Sequence, residues 1–279
     1  MLWALSAAWA GGWTRDLGDA YLKAETGLYT SSRVRVPGEE EDSGGRYTGV
    51  QVSGYGEVGL LRAHPVQLSA SAPLVVGSHR TEIFDAFGAV PVRATTVRMG
   101  DLRVATQVAL HPRHSLAVAV EAKVPLYANG TVGQSLPTHA DLFPKPGDGQ
   151  LDLTMWGYGG AAVGDGFVEG GVGYLHRTEQ FVGWEPELAL ADGGRALGKV
   201  GYKLGPCWAL GSVDAQWAWR GTINGDLDTF TRQFVAATLA GLWELGPHWG
   251  LEPRVGAELW ARNASQGVSA GLGVSWRAR

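Results

Sequence analysis

Residues 101–123 read DLRVATQVALHPRHSLAVAVEAK. Two runs of β-prone residues flank the break His111-Pro112-Arg113-His114. In the first run Leu102, Val104, Val108 and Leu110 share one parity, and Asp101, Arg103 and Gln107 hold the other. In the second, Leu116, Val118, Val120, Ala122 and Val124 alternate with Glu121 and Lys123. Successive side chains of a strand point to opposite faces, so each run has one apolar face and one charged face. A soluble sheet turns the charged face to water. A membrane barrel turns the apolar face to lipid and the charged face to an enclosed lumen. The rest of the chain discriminates between the two.

Period-two alternation recurs along the whole sequence and predicts twelve strands: 18–30, 47–61, 65–76, 96–110, 115–127, 149–163, 166–180, 194–204, 208–220, 230–245, 249–262 and 267–277. Tight turns follow at Arg62-Ala63-His64, His111 to His114, Gly164-Asp165, Gly205-Pro206-Cys207 and Gly246-Pro247-His248. The intervening connections are long, at 31–46, 77–95, 128–148, 181–193 and 221–229, and only the last, Asn263 to Gln266, is short. Turns and long loops thus alternate. An up-and-down barrel with periplasmic turns and extracellular loops has this pattern.

Charges obey the parity within each strand. The lumen-lining candidates are Lys23, Glu25, Glu57, Asp101, Arg103, Glu121, Lys123, Asp152, Glu169, Lys199, Lys203, Asp214, Arg232, Glu252, Arg254 and Glu258. Their two signs are nearly balanced, which suits ion pairs across strands that hold the wall, a solute path, or both. The opposite parity is charge-free, as in Val213-Ala215-Trp217-Trp219 and Val268-Ala270-Leu272-Val274-Trp276. It is built from Ala, Val, Leu and Gly, with few Phe or Ile to fill a dry core. Trp219, Trp243, Trp249 and Trp276 gather near strand ends, where interfacial aromatic girdles sit. One Lys or Arg at the midplane of a lipid face costs about 2–4 kcal/mol, which accounts for the exclusion.

Composition agrees. The 279 residues suit one large all-β domain, and charged residues are 18%, below the usual share of about 25%. A net charge of −4 offers no basic field for nucleic acid. The lone Cys207 excludes an internal disulfide, and no run of apolar residues is long enough for a membrane helix. At the start, LWALSAAWA ends in Ala8-Trp9-Ala10 before Gly11-Gly12, the tail of a secretory signal cleaved after Ala10. Residues 1–10 are therefore expected to be a residual signal peptide, and 11–279 a single barrel domain.

Catalytic and metal signals are thin. His64, His111, His114 and His248 fall at the short turns without ligand spacing, so no metal and no cofactor are expected. Glu39-Glu40-Glu41-Asp42 reads as a solvated loop segment, with a divalent-ion contact to lipopolysaccharide as the minor alternative. Loop 77–95 carries Ile83, Phe84 and Phe87, which suit an inward-folded plug, a membrane-surface contact or a self-closing cluster. A lipid hydrolase needs a nucleophile and base at the lipid-facing rim. His114-Ser115 faces the periplasmic end on this topology. His176 has outward parity, but no Ser or Asp stands out as its neighbour.

Gly12-Trp13-Thr14 with Tyr21-Leu22-Lys23, the strand start Gly100-Asp101-Leu102-Arg103, and Gly147 to Leu153 followed by Gly173-Tyr174 carry a family signal. Together they resemble the transporter group of Gram-negative outer-membrane barrels, which includes phenol-degradation (MetA-pathway) proteins and, more distantly, fatty-acid-transporter-like channels. The resemblance covers residues 12–23 and roughly 100–175. It implies uptake of small apolar compounds and supplies no binding residues to carry over. The chain departs from the usual barrel ending, since Arg277-Ala278-Arg279 follows the terminal Trp276.

The reading is thus an all-β, transmembrane antiparallel up-and-down barrel of about twelve strands in the bacterial outer membrane. The expected function is a monomeric channel passing small solutes, apolar or aromatic ones included, through a narrow mixed-charge lumen. Its partners would be outer-membrane lipid and lipopolysaccharide. The alternatives are a lipid-modifying enzyme, or a plugged barrel with a structural or adhesive role.

Overall fold

The computed structural model describes residues 13–35, 46–61, 65–85, 88–111, 115–127, 149–181, 191–219, 222–223, 226–227, 233–262 and 264–278. The expected signal remnant, the Glu39–Asp42 run, Phe87 and Arg232 lie outside them. The strands are β1 (Ala20–Arg35), β2 (Arg46–Gly59), β3 (Val66–Asp85), β4 (Gly88–Met99), β5 (Asp101–Ala109), β6 (Ser115–Pro125), β7 (Gln150–Val163), β8 (Gly166–Phe181), β9 (Gly193–Leu204), β10 (Cys207–Ala218), β11 (Thr222–Ile223), β12 (Asp226–Leu227), β13 (Gln233–Glu244), β14 (Trp249–Arg262) and β15 (Ala264–Ala278).

Each long strand pairs antiparallel with its sequence neighbour, β1 pairs with β15, and β2 pairs with β3, so the sheet closes on itself. β4 and β5 lie end to end along β3 and share one place in the wall, which leaves twelve wall positions. β11 and β12 form a separate two-stranded ribbon. The 101–123 hairpin is formed as the parity requires, with Val108 opposite Val118 and Arg103 opposite Lys123. Gly164 and Gly205 take positive φ (57° and 62°) in two of the tight turns, a conformation that any side chain would strain.

Burial along β2 and β6 alternates residue by residue. The buried parity carries Lys23, Glu25, Glu57, Glu121, Lys123 and Asp152, and the exposed parity carries Leu22, Val50, Val52, Val118, Val120 and Leu272. A soluble protein has the reverse distribution. The apolar face has no protein cover, so acyl chains must cover it. From Val50 on β2 to Leu60 just after it, the outward residues span about 33 Å of chain, or about 25 Å along the axis at a tilt near 40°. That matches the apolar band of roughly 25 Å found on outer-membrane barrels.

The segment 77–95 corrects the sequence reading. It is a β-hairpin, with β3 running on to Asp85 and β4 starting at Gly88, in register from Leu74 opposite Met99 to Asp85 opposite Gly88. Ile83 and Phe84 lie in β3, opposite Val90 and Ala89. The wall strand breaks at Gly100, whose N–H donates to the Pro73 carbonyl at 2.8 Å. A Cβ there would come within 2.7 Å of Pro73 Cγ.

Candidate functional site

The inner wall carries two ionic networks. In one, Lys23 Nζ lies 2.6 Å from Glu25 and 3.0 Å from Glu252, and Arg254 pairs with Glu25. Tyr21 donates its hydroxyl to Glu252 at 2.6 Å. Above them Glu258 accepts from the Tyr29 hydroxyl at 2.8 Å and from the Gly267 N–H at 2.7 Å. On the opposite wall Arg195 bridges Glu121 at 3.0 Å and Asp214 at 3.4 Å, while Arg103 reaches Glu121 at 2.7 Å. Lys123 and Arg177 share Asp152, and Lys199 faces Glu169 at 3.8 Å. Asp101 accepts from the Tyr127 hydroxyl at 2.9 Å. Lys203 sits at the short-turn end, partly exposed, 3.7 Å from Glu244.

Strand parity places every one of these side chains. In-register partners such as Lys199 and Glu169 face each other across neighbouring strands. Arg177 and Arg195 share the parity of their strands' other charges, so the same signal reveals them. Charges removed from water need such pairing to be tolerated.

Aromatic rings share this wall. Trp156 stacks on Tyr158 with centroids 5.4 Å apart, packed with Ala117, Ala119 and Leu197, and the Arg195 guanidinium lies 4.9 Å from the Trp156 ring. Phe167 meets Trp208 at 6.1 Å, and Tyr21 meets Tyr55 at 6.0 Å. A small cavity of about 50 Å³ opens against Lys23, Phe167, Lys199, Leu210, Thr238 and Glu252. Among the described residues no group of three or more His, Cys, Asp or Glu could hold a metal ion.

The stretch 13–19, ahead of β1, enters the lumen at the short-turn end. Trp13 sets its ring edge-on to Phe167 at 5.8 Å, and its carbonyl accepts from Gln107 Nε2 at 3.5 Å. The Arg15 N–H donates to Gln67 Oε1 at 3.0 Å, and its guanidinium pairs with Glu57, which also accepts from Tyr55 and Gln67. Gly18 N–H donates to the Gly59 carbonyl at 3.1 Å. A Cβ on Gly59 would overlap the Asp16 carbonyl, so glycine lets the segment lie against the wall. Nothing in the sequence around Arg15 signals these contacts, all of them to distant strands.

The lipid-facing rim holds the other finding. Asp192, just before β9, accepts from the Tyr174 hydroxyl and, at 2.8 Å, from the Arg177 N–H, and lies 3.2 Å from His176 Nδ1. His176 therefore has an acidic neighbour, contrary to expectation, brought to it by the β8–β9 connection and not by local spacing. Burial pushes the Asp192 carboxyl up, but the hydrogen bonds from Tyr174, Arg177 and His176 outweigh it and hold the group below the usual carboxylate range. Trp219 stacks on Tyr174 at 5.3 Å. Trp217, Trp219 and Trp260 are exposed at the long-connection end. Trp243 and Trp249 are exposed at the short-turn end, where Trp249 stands opposite Trp276. Trp217 and Trp260 extend the expected girdle set.

No family model and no curated protein match this chain. Among solved structures it is similar to an outer membrane channel from Pseudomonas putida F1, with a TM-score of 0.72 and 12% identity over 95% of this chain and 97% of that one. It is also similar to the CymD monoaromatic hydrocarbon channel, with a TM-score of 0.51 and 8% identity over 95% of this chain and 90% of that one. The chain thus has a closed, twelve-stranded transmembrane β-barrel fold, the architecture of bacterial outer-membrane channels.

Proposed function

We propose that this protein is an outer-membrane channel that carries small solutes, apolar and aromatic ones included, through a narrow lumen of mixed charge. The observation that carries the reading is the inner wall, where paired ionic groups stand beside the stacked rings of Trp156 and Tyr158 and the contact of Phe167 with Trp208, with a small cavity against Phe167, Lys23 and Glu252. Rings offer apolar contact and stacking to a flat aromatic solute, and the balanced charges keep the path hydrated without favouring one ion sign. The solved barrels with this fold include a channel for monoaromatic hydrocarbons, which supports the solute class. One chain closes the wall, so a single copy suffices to enclose a path.

The refolded chain in a planar bilayer is expected to give steady unitary currents, and vesicles carrying it to take up a monoaromatic solute faster than empty vesicles. Absence of both current and flux overturns the reading. Arg15→Ala releases the guanidinium from Glu57 and loosens the segment at the short-turn end, so its unitary conductance is expected to exceed that of the parent. An unchanged conductance would mean that residues 13–19 do not restrict the path.

A lipid-hydrolase reading has His176 and Asp192 in its favour. However, a nucleophile must hydrogen-bond to the base, and among the described residues His176 bonds only to Asp192.

A further inference from the structure

Three arginines stand in one row across three neighbouring strands. Arg46 on β2 is opposite Arg80 on β3, and Arg80 is opposite Arg93 on β4. All three are exposed, and Arg46 shares the outward parity of Val50 and Val52. Like charges placed directly opposite on a sheet are destabilising. Adjacent strands lie about 4.8 Å apart, so three guanidinium groups gather within reach of one headgroup. The salt bridges of the barrel wall lie on its other face and do not reach this row. Arg46 and Arg80 make no hydrogen bond or ion pair among the described residues, and Arg93 donates only through Nε to Ser78 Oγ at 3.1 Å. The next row outward sets the single Glu82 opposite Pro91.

The rows below give the height. Thr48, Ser78 and Thr95 form a hydroxyl row, and Val50, Val76 and Val97 form an exposed apolar row beneath it. Along the outer face the order is acyl-facing valine, hydroxyl, arginine. Val50 and Arg46 are four positions apart, which is about 10 Å along the axis. The arginine row therefore stands at headgroup height above the apolar band. A soluble solute in the lumen never meets this face.

We propose that Arg46, Arg80 and Arg93, with the hydroxyl row beneath them, bind the phosphorylated saccharide headgroup of an anionic glycolipid in the outer leaflet. Charge complementarity carries the assignment. Guanidinium groups pair with phosphate through parallel N–H donors, the hydroxyls suit a saccharide, and the valines receive the acyl chains. The inference rests on the outward face of the barrel and not on transport.

The test compares the refolded chain with R46Q/R80Q/R93Q for binding of bis-phosphorylated lipid A in detergent, read by native mass spectrometry. The triple variant is expected to bind about tenfold more weakly, and the parent is expected to show a similar loss toward dephosphorylated lipid A. Raising the salt weakens the parent and leaves the variant nearly unchanged. R46K/R80K/R93K retains intermediate affinity, and all variants keep the parental conductance. The single Arg→Gln variants, each at an exposed position, keep the question answerable if the triple variant does not refold. Parental affinity in the Gln variants, or equal binding of dephosphorylated lipid A, overturns the proposal. So does displacement of lipid A by millimolar inorganic phosphate, which would assign the row to a free anion.

Discussion

Replacing Arg195 with Ala is expected to destabilise the barrel by about 3–5 kcal/mol, the usual consequence of breaking a buried ion pair from one side. Arg195 is 5% exposed and is the only cation that joins Glu121 to Asp214 among the described residues. Its removal breaks the ion pair of the Asp214 carboxylate and reduces Glu121 to its contact with Arg103. The side chain also covers the Trp156 ring, so apolar contact is lost with the charge. Arg195→Lys should recover only part of the loss, since an ammonium cannot bridge two carboxylates in the fork geometry of a guanidinium. The triple change Arg195→Leu, Glu121→Leu, Asp214→Leu should lie nearer the parent than Arg195→Ala, because it strands no charge. Denaturant unfolding in detergent micelles measures all three. A loss below about 0.5 kcal/mol for Arg195→Ala would mean that lumenal water screens the carboxylates, and the network would then serve the solute path and not the wall.

That distinction bears on what the sequence can report. Parity is a local property with a period of two, so a charge such as Arg195, two turns of the pleat from Lys199, is assigned a face by counting alone. The partner is another matter. Glu121 lies on β6 and Arg195 on β9, and only barrel closure and the girth of the side chains bring them together. The lumenal placement of residues 13–19 is not legible for the same reason: Trp13 and Arg15 are held by Phe167, Gln67 and Glu57, each far away in sequence. The pairing of Asp192 with His176 has no sequence signal because a connection, which has no period, delivers it. In the β3–β4 hairpin the pairing continues past the apolar band. Without lipid on one side, nothing forces a clean alternation there, and Ile83 and Phe84 resemble an apolar loop although they lie in a strand. The membrane thus writes the legible part of the sequence, and contacts beyond or inside the wall leave little trace.

Val120→Arg tests the assignment of faces itself and is expected to cost about 2–4 kcal/mol of stability in a bilayer. Val120 lies on β6 between Thr106 of β5 and Met155 of β7, 53% exposed on the outward parity near the middle of the strand. An arginine there has no acid on its own face within the band, and its side chain must reach several residues along the strand to find headgroups or water. The cost should depend on depth. Leu116→Arg, on the same face beside the turn, should cost only about 0–1 kcal/mol because the guanidinium reaches the interface. Val120→Ala separates the effect of charge from lost apolar area and should differ from the parent by about 1 kcal/mol or less. Reversible unfolding in phosphatidylcholine vesicles gives the three values. In detergent-free buffer the same charge would improve solubility if this face met water, so an Arg variant as stable as the parent in vesicles would place the valine row away from lipid. A gradient from Leu116 to Val120, steep for Arg and flat for Ala, is the signature of a strand crossing hydrocarbon.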